Sequence, residues 1–150
     1  MIGIDFKLEG FERDLIQYFK DAEKLADKVV IGVKDVVKKD VYDNIRLYRD
    51  VNGGKVAPLR PFTVALKKYN KRPYPTRPLY DKGDMLKSVF DEKTLTGFNI
   101  FIGGEADNYA YRVVYGLNKE GKPQKPRNFF YVFDSALTQR KINKELKKFR

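Results

Sequence analysis

The sequence predicts an α+β fold: a long N-terminal amphipathic helix (or helical hairpin) and a C-terminal helix packed on a small, mostly antiparallel sheet. Three observations carry that prediction. Apolar residues step mostly by threes and fours from Phe11 to Tyr48, the spacing of one helix face. Two stretches rich in β-branched and aromatic residues, Ser88 to Leu95 and Phe98 to Gly103, meet at Thr96-Gly97, a hairpin signal. A third segment, Ser135 to Phe149, spaces Ala136, Leu137, Ile142, Leu146 and Phe149 along a helix and gathers lysines near its end, where they oppose the negative end of the helix dipole.

Each element follows from its own residues. Ile2, Ile4, Phe6 and Leu8 alternate with polar neighbours and glycine, predicting a short half-buried strand that ends at Gly10. The helical stripe then passes through Leu15, Phe19, Ala22, Leu25, Val29, Val33, Val36, Val41 and Ile45. Unbroken, such a helix is about 57 Å long at about 1.5 Å per residue, longer than a globule of this mass is wide. It would project from the body or pack against another subunit. The alternative is two shorter helices broken near Val30-Ile31-Gly32, where β-branched residues and glycine weaken helix propensity. Asn52-Gly53-Gly54 reads as a stop.

All seven prolines lie in residues 58 to 78 and 123 to 126, which marks the loops. The first region holds a short helix from Pro61 to Tyr69, with proline in its opening turn. An extended, polyproline-like run from Lys71 to Pro78 follows. The second, Leu117 to Asn128, has little to bury. Residues 70–78 and 117–128 are therefore expected to be mobile and to order on contact with a partner. Lys82 to Lys87 reads as helical, Asp81 as a turn or helix cap, Tyr109 to Tyr115 as a short helix ended by Gly116, and Phe129 to Phe133 as a buried strand. No internal repeat is present, and residues 1–150 are read as one domain.

Composition narrows the chemistry. The chain has no Cys and no His, which removes thiol nucleophiles, disulfides, the usual zinc sets and imidazole bases. The two serines, Ser88 and Ser135, sit in no nucleophile elbow. Asp81 and Asp84 flank Lys82-Gly83, but a calcium loop needs six to eight oxygens. Gly103-Gly104 lacks a phosphate-loop pattern and reads as a turn. Catalytic, cofactor and metal residues are accordingly none. No apolar run approaches the roughly 18 residues that cross a bilayer, and the N-terminus lacks a signal-peptide pattern. A soluble chain with no membrane partner is expected.

Charge is unevenly placed. The first fifty residues hold ten basic and eleven acidic side chains, against a net charge of +11 for the whole chain. Between Asp50 and Asp81 stand Lys55, Arg60, Lys67, Lys68, Lys71, Arg72 and Arg77 with no acidic residue. This basic surface, interleaved with Tyr69 and Tyr74, suits an acidic protein or the phosphates and bases of nucleic acid.

Four segments in order also resemble the phage virion-morphogenesis family, the tail-completion and neck proteins of tailed bacteriophages. Gly54-Lys55-Val56-Ala57-Pro58-Leu59-Arg60-Pro61-Phe62-Thr63 is similar to that family's G-x-x-W-x-P-L-x-P-x-T, and Leu79 to Ser88 to its L-x-D-T-G-x-L-x-x-S. Tyr109-Ala110 with Gly116 resembles Y-A-x-x-H-Q-x-G, and Arg127-Asn128-Phe129 resembles R-P-F. Val56, Lys82, Val113-Val114 and Asn128 depart from the pattern. The resemblance implies a non-enzymatic virion protein, assembled in the host cytoplasm. It would form a homo-oligomeric, six-fold ring in the neck or at the head-proximal end of the tail. Its implied partners are further copies, other neck, connector or tail proteins and, without sequence preference, DNA in the channel. Arg127, Phe129, Arg72 and Arg77 are the candidate subunit-interface residues, because they lie on or beside the two loops that would serve as arms.

Overall fold

The computed structural model describes residues 9–79, 83–95, 97–118 and 120–149. The strand expected over residues 2 to 8, the cap at Asp81 and the Thr96 half of the hairpin turn lie outside the described residues. The fold is α+β, in the order α1 (Glu9–Leu47), α2 (Pro61–Tyr69), α3 (Asp84–Lys87), β1 (Val89–Lys93), β2 (Phe98–Ile102), α4 (Glu105–Tyr115) and α5 (Ala136–Leu146).

α1 is one unbroken helix of 39 residues, so the hairpin alternative does not apply. Gly32 does not break it. A Cβ there would stand 3.3 Å from Glu145 and 3.5 Å from Phe149, so the missing side chain admits the end of the C-terminal helix instead. The α1 backbone ends at Leu47, where Tyr48 turns to φ 55, before the Asn52-Gly53-Gly54 signal. Those residues close a separate tight loop, in which Asp50 Oδ1 accepts from the N–H groups of Asn52 and Gly54, each at 2.9 Å.

β1 and β2 form a two-stranded antiparallel sheet running in register from Val89↔Ile102 to Lys93↔Phe98. The face carrying Val89, Asp91 and Lys93 is turned to α1. Asp91 pairs there with Lys34 at 2.8 Å and with Lys38, and Lys93 reaches Asp27 at 2.9 Å. α5 begins at Ser135, whose hydroxyl accepts from the Leu137 N–H as an N-cap. It packs beside α1, with buried Thr138 donating to the buried Asp40 carboxylate at 2.7 Å and Lys141 pairing with the same group.

The core lies where these pieces meet the C-terminal half of α1. Val37, Val41 and Ile45 pack with Leu79, Met85, Ile102, Val113, Phe129, Val132 and Ile142. α4 covers another side and stops at Gly116, whose φ of 70 and space 2.4 Å from the Gln124 carbonyl exclude a side chain. The strand expected over Phe129 to Phe133 is absent; its end forms a short 3₁₀ turn, Val132–Asp134. The reason lies in where the local backbone bonds go. The Phe129 carbonyl accepts from Asn44 of α1, the Asn128 carbonyl accepts from Val51 N–H, and Tyr131 N–H donates to the Asn128 side chain. Phe129 is nonetheless fully buried.

Candidate functional site

Among the described residues, several apolar side chains stay exposed, and two helical faces stand out among them. The first is the outer half of α1. Its stripe has the same period as the covered half, yet every described residue from Arg13 to Ala26 is exposed. Leu15, Tyr18, Phe19 and Leu25 all stand open, Phe19 at 62%. The covering layers stop short of it: α5 ends beside Gly32, and the hairpin turn reaches only the stretch from Glu23 to Val30. An apolar row on a projecting helix is a contact surface awaiting another molecule.

The second face belongs to α2, which forms over the residues expected. Pro61 opens it, and no residue of it is buried. Phe62, Leu66 and Tyr69 follow at four and three residues, on one side of the helix, with Phe62 and Tyr69 78% and 84% exposed. Beneath lies a cleft of about 480 Å³ between α2, α3 and α4, with Leu59, Leu66, Leu79, Met85 and Tyr109 in its walls and Lys67 and Arg72 at its edge. Thr63, Asn70 and Asp84 also line it, so the cleft combines apolar walls with charge of both signs.

The basic residues lie on α2 and on the chain to either side of it. Lys55, Arg60, Lys68 and Lys71 are exposed, whereas Lys67 donates to the Arg77 carbonyl at 3.3 Å. The run from Lys71 to Pro78 is not the extended polyproline-like strand expected. Lys71 and Tyr74 both turn to φ 50, and Arg77 N–H closes back on the Tyr74 carbonyl at 2.9 Å. Folding back lets the Arg77 guanidinium lie 3.8 Å from the centre of the Tyr74 ring and 5.1 Å from that of Tyr48, which stabilises the turn by cation–π attraction. Arg72 is half-buried at its start.

Arg127 and Phe129 occupy different places from those expected of interface residues. Arg127 donates through Nε to the Ala57 carbonyl at 2.8 Å and through Nη2 to the Pro58 carbonyl at 3.0 Å. Its guanidinium holds the approach to α2 against the body, and the fully buried Phe129 is core and offers no surface to a neighbour. The loop from Leu117 to Asn128 is tied down by its backbone: Leu117 bridges to Pro123, Gln124 N–H reaches the Gly116 carbonyl and Arg127 N–H the Val113 carbonyl.

The remaining polar candidates serve local structure. Ser88 Oγ donates to the Asp84 carbonyl, Ser135 caps α5, and Gly104 turns the chain into α4 with φ 64. Among the described residues no three acidic side chains converge as metal ligands do, and no helix is long and apolar enough to cross a membrane. One further ionic site stands out. The ammonium groups of Lys34 and then Lys38 bond the Asp91 carboxylate and hold its pKa down at about 2, and Asp91 in turn raises that of Lys34.

The α2 face itself was not singled out from the sequence, although the spacing of Phe62, Leu66 and Tyr69 signals it. What hides it is that the same spacing ordinarily marks a buried side. No protein-family model matches the chain, and neither curated proteins nor solved structures show a detectable similarity to it.

Proposed function

We propose that this chain is a structural subunit of a tailed-bacteriophage particle, forming a homo-oligomeric, six-fold ring in the neck or at the head-proximal end of the tail that completes the tail and joins it to the head. It works by assembly rather than catalysis. The observation that carries the reading is the outer half of α1, a helical arm whose apolar row from Leu15 to Leu25 stays exposed in the single chain. A ring subunit needs such a surface, because each copy must bury area against its neighbours. The ordered resemblance from Gly54 to Phe129 is what directs the reading to the neck or tail.

The test is the copy number of the protein in density-purified particles, by quantitative mass spectrometry. A small fixed number matching the other neck rings is expected, and absence from particles overturns the reading. The exposure of Lys55, Arg60, Lys68 and Lys71 favours a second reading, a small basic nucleic-acid-binding protein. It requires affinity for DNA or RNA that falls steeply with salt, and a flat salt response removes it.

A further inference from the structure

The outer half of α1 and α2 carry surroundings of opposite charge. On a helix of about 3.6 residues per turn, Asp14 and Asp21 border one side of the row Leu15, Phe19, Ala22 and Ala26, and Glu23 borders the other. Arg13, Lys20 and Lys24 fall on the far side. The outer half of α1 is therefore an apolar ridge between acidic margins. α2 is the converse: Phe62, Leu66 and Tyr69 form a row beside Lys68, with Arg60 and Lys71 at the two ends.

A single chain does not bring these faces together. Both flanks of α2 are tied to the C-terminal end of α1, through Val56 N–H on the Tyr48 carbonyl at 2.9 Å and the Arg77 guanidinium over the Tyr48 ring. Phe19 lies on the same unbroken helix, about 43 Å away at about 1.5 Å per residue. Among the described residues, neither face finds its complement within the same chain. A second copy of this chain offers it with matching charge sign and matching apolar spacing.

We propose that the outer half of α1 of one copy docks on α2 of the next, with Leu15 and Phe19 against Phe62, Leu66 and Tyr69. Asp14 and Glu23 then face Arg60, Lys68 and Lys71. The two patches are different, so every copy gives a helix to one neighbour and receives one from the other. Such a head-to-tail contact closes into a ring when the rotation per subunit permits. The inference rests on the reading of the chain as a ring subunit and names the surfaces that would join it.

The test uses the purified full-length protein. Isotopically heavy and light chains are mixed and coupled with a zero-length carbodiimide, and peptides joining Asp14 or Glu23 of one copy to Lys68 or Lys71 of the other are sought by mass spectrometry. Heavy–light products at these pairs are expected. In sedimentation velocity, Asp14→Lys with Glu23→Lys, and separately Arg60→Glu with Lys68→Glu, each weaken self-association by ~10-fold or more, and all four changes in one chain recover it to within ~3-fold. All four positions are exposed, so an unchanged circular dichroism spectrum is expected.

A chain that stays monomeric at every concentration without heavy–light products overturns the proposal. So does a DNA oligonucleotide whose binding is lost with Arg60→Glu and Lys68→Glu while copies never couple, since that gives α2 to nucleic acid. The two readings fail separately. A protein present in particles but never coupled through α1 and α2 keeps its place in the virion and loses this contact. One that couples as described but is absent from particles keeps the contact and loses the virion.

Discussion

Leu15 and Phe19 repeat along α1 with the same spacing as Val37 and Val41, yet the first pair stands 43% and 62% exposed and the second 6% and 1%. Over the inner half, α5, the hairpin and the chain around Phe129 supply partners for both apolar and polar groups. Asn44 donates to the Phe129 carbonyl, Asp40 accepts from Thr138, and Lys34 and Lys38 hold Asp91. Over the outer half no described element reaches beyond the stretch next to the hairpin turn. The contrast teaches that an amphipathic period states only that a face is to be covered. Whether the same chain or another covers it depends on how far the rest of the fold extends along the helix.

The strongest way to test this contrast is to make the same deletion in both regions. Phe129→Ala, at a fully buried ring, is expected to destabilise the chain by about 3–5 kcal/mol. Phe19→Ala, at an exposed ring, should change the stability of the isolated chain by no more than about 0.5 kcal/mol. Urea unfolding of the two variants under conditions where the chain is monomeric reads both, and equal losses would show that the outer half is covered within the chain.

A smaller effect is expected where α5 grips the covered half. Asp40→Ala removes the acceptor of the buried Thr138 hydroxyl, while Lys141, 57% exposed, regains water. The cost is about 2 kcal/mol, chiefly that of leaving one buried donor unpaired. Hydrogen exchange should show faster opening of α5 with little change in the outer half of α1. Uniform acceleration through both would break the distinction.

The smallest effect concerns the hairpin that marks the boundary. Lys34 and Lys38 lower the Asp91 pKa from the usual 3.8 to about 2. A carboxyl group held lower in the folded chain contributes stability above its unfolded value, and that contribution is lost as the pH falls through the folded one. Asp91→Asn should therefore remove part of the acid loss between pH 4 and pH 2 and leave the slope at neutral pH unchanged. Comparing denaturant midpoints of the two proteins across that window checks it, and identical acid limbs would mean that the hairpin is not held to α1 through this group.

Much of the fold was legible because it depends on neighbours a few residues apart. Pro61 to Tyr69 forms a helix over those residues, Gly116 ends α4, Ser135 caps α5, and the hairpin pairs as its two β-rich stretches suggest. The expectations that failed involve partners far away in the chain. Phe129 to Phe133 has strand-like residues, but its Phe129 carbonyl is taken by Asn44 and its Tyr131 N–H by the Asn128 side chain rather than by a sheet edge. The acceptors of Arg127, Ala57 and Pro58, lie about seventy residues away and leave no local sign beside it. The Lys71 to Pro78 run, rich in proline, folds back because Arg77 finds two tyrosine rings.

Residue order alone was enough for the helical period of α1, the punctuation by proline and glycine, and the excess of positive charge between Asp50 and Asp81, since each is a property of composition or of short-range backbone preference. Tertiary structure was needed to decide which part of the α1 stripe is core, that Gly32 is a point of close approach rather than a break, and that α2 turns its aromatic row outward. Burial is a relation between surfaces that meet only after the chain has folded. A period repeated unchanged along a helix holds no record of where its cover ends.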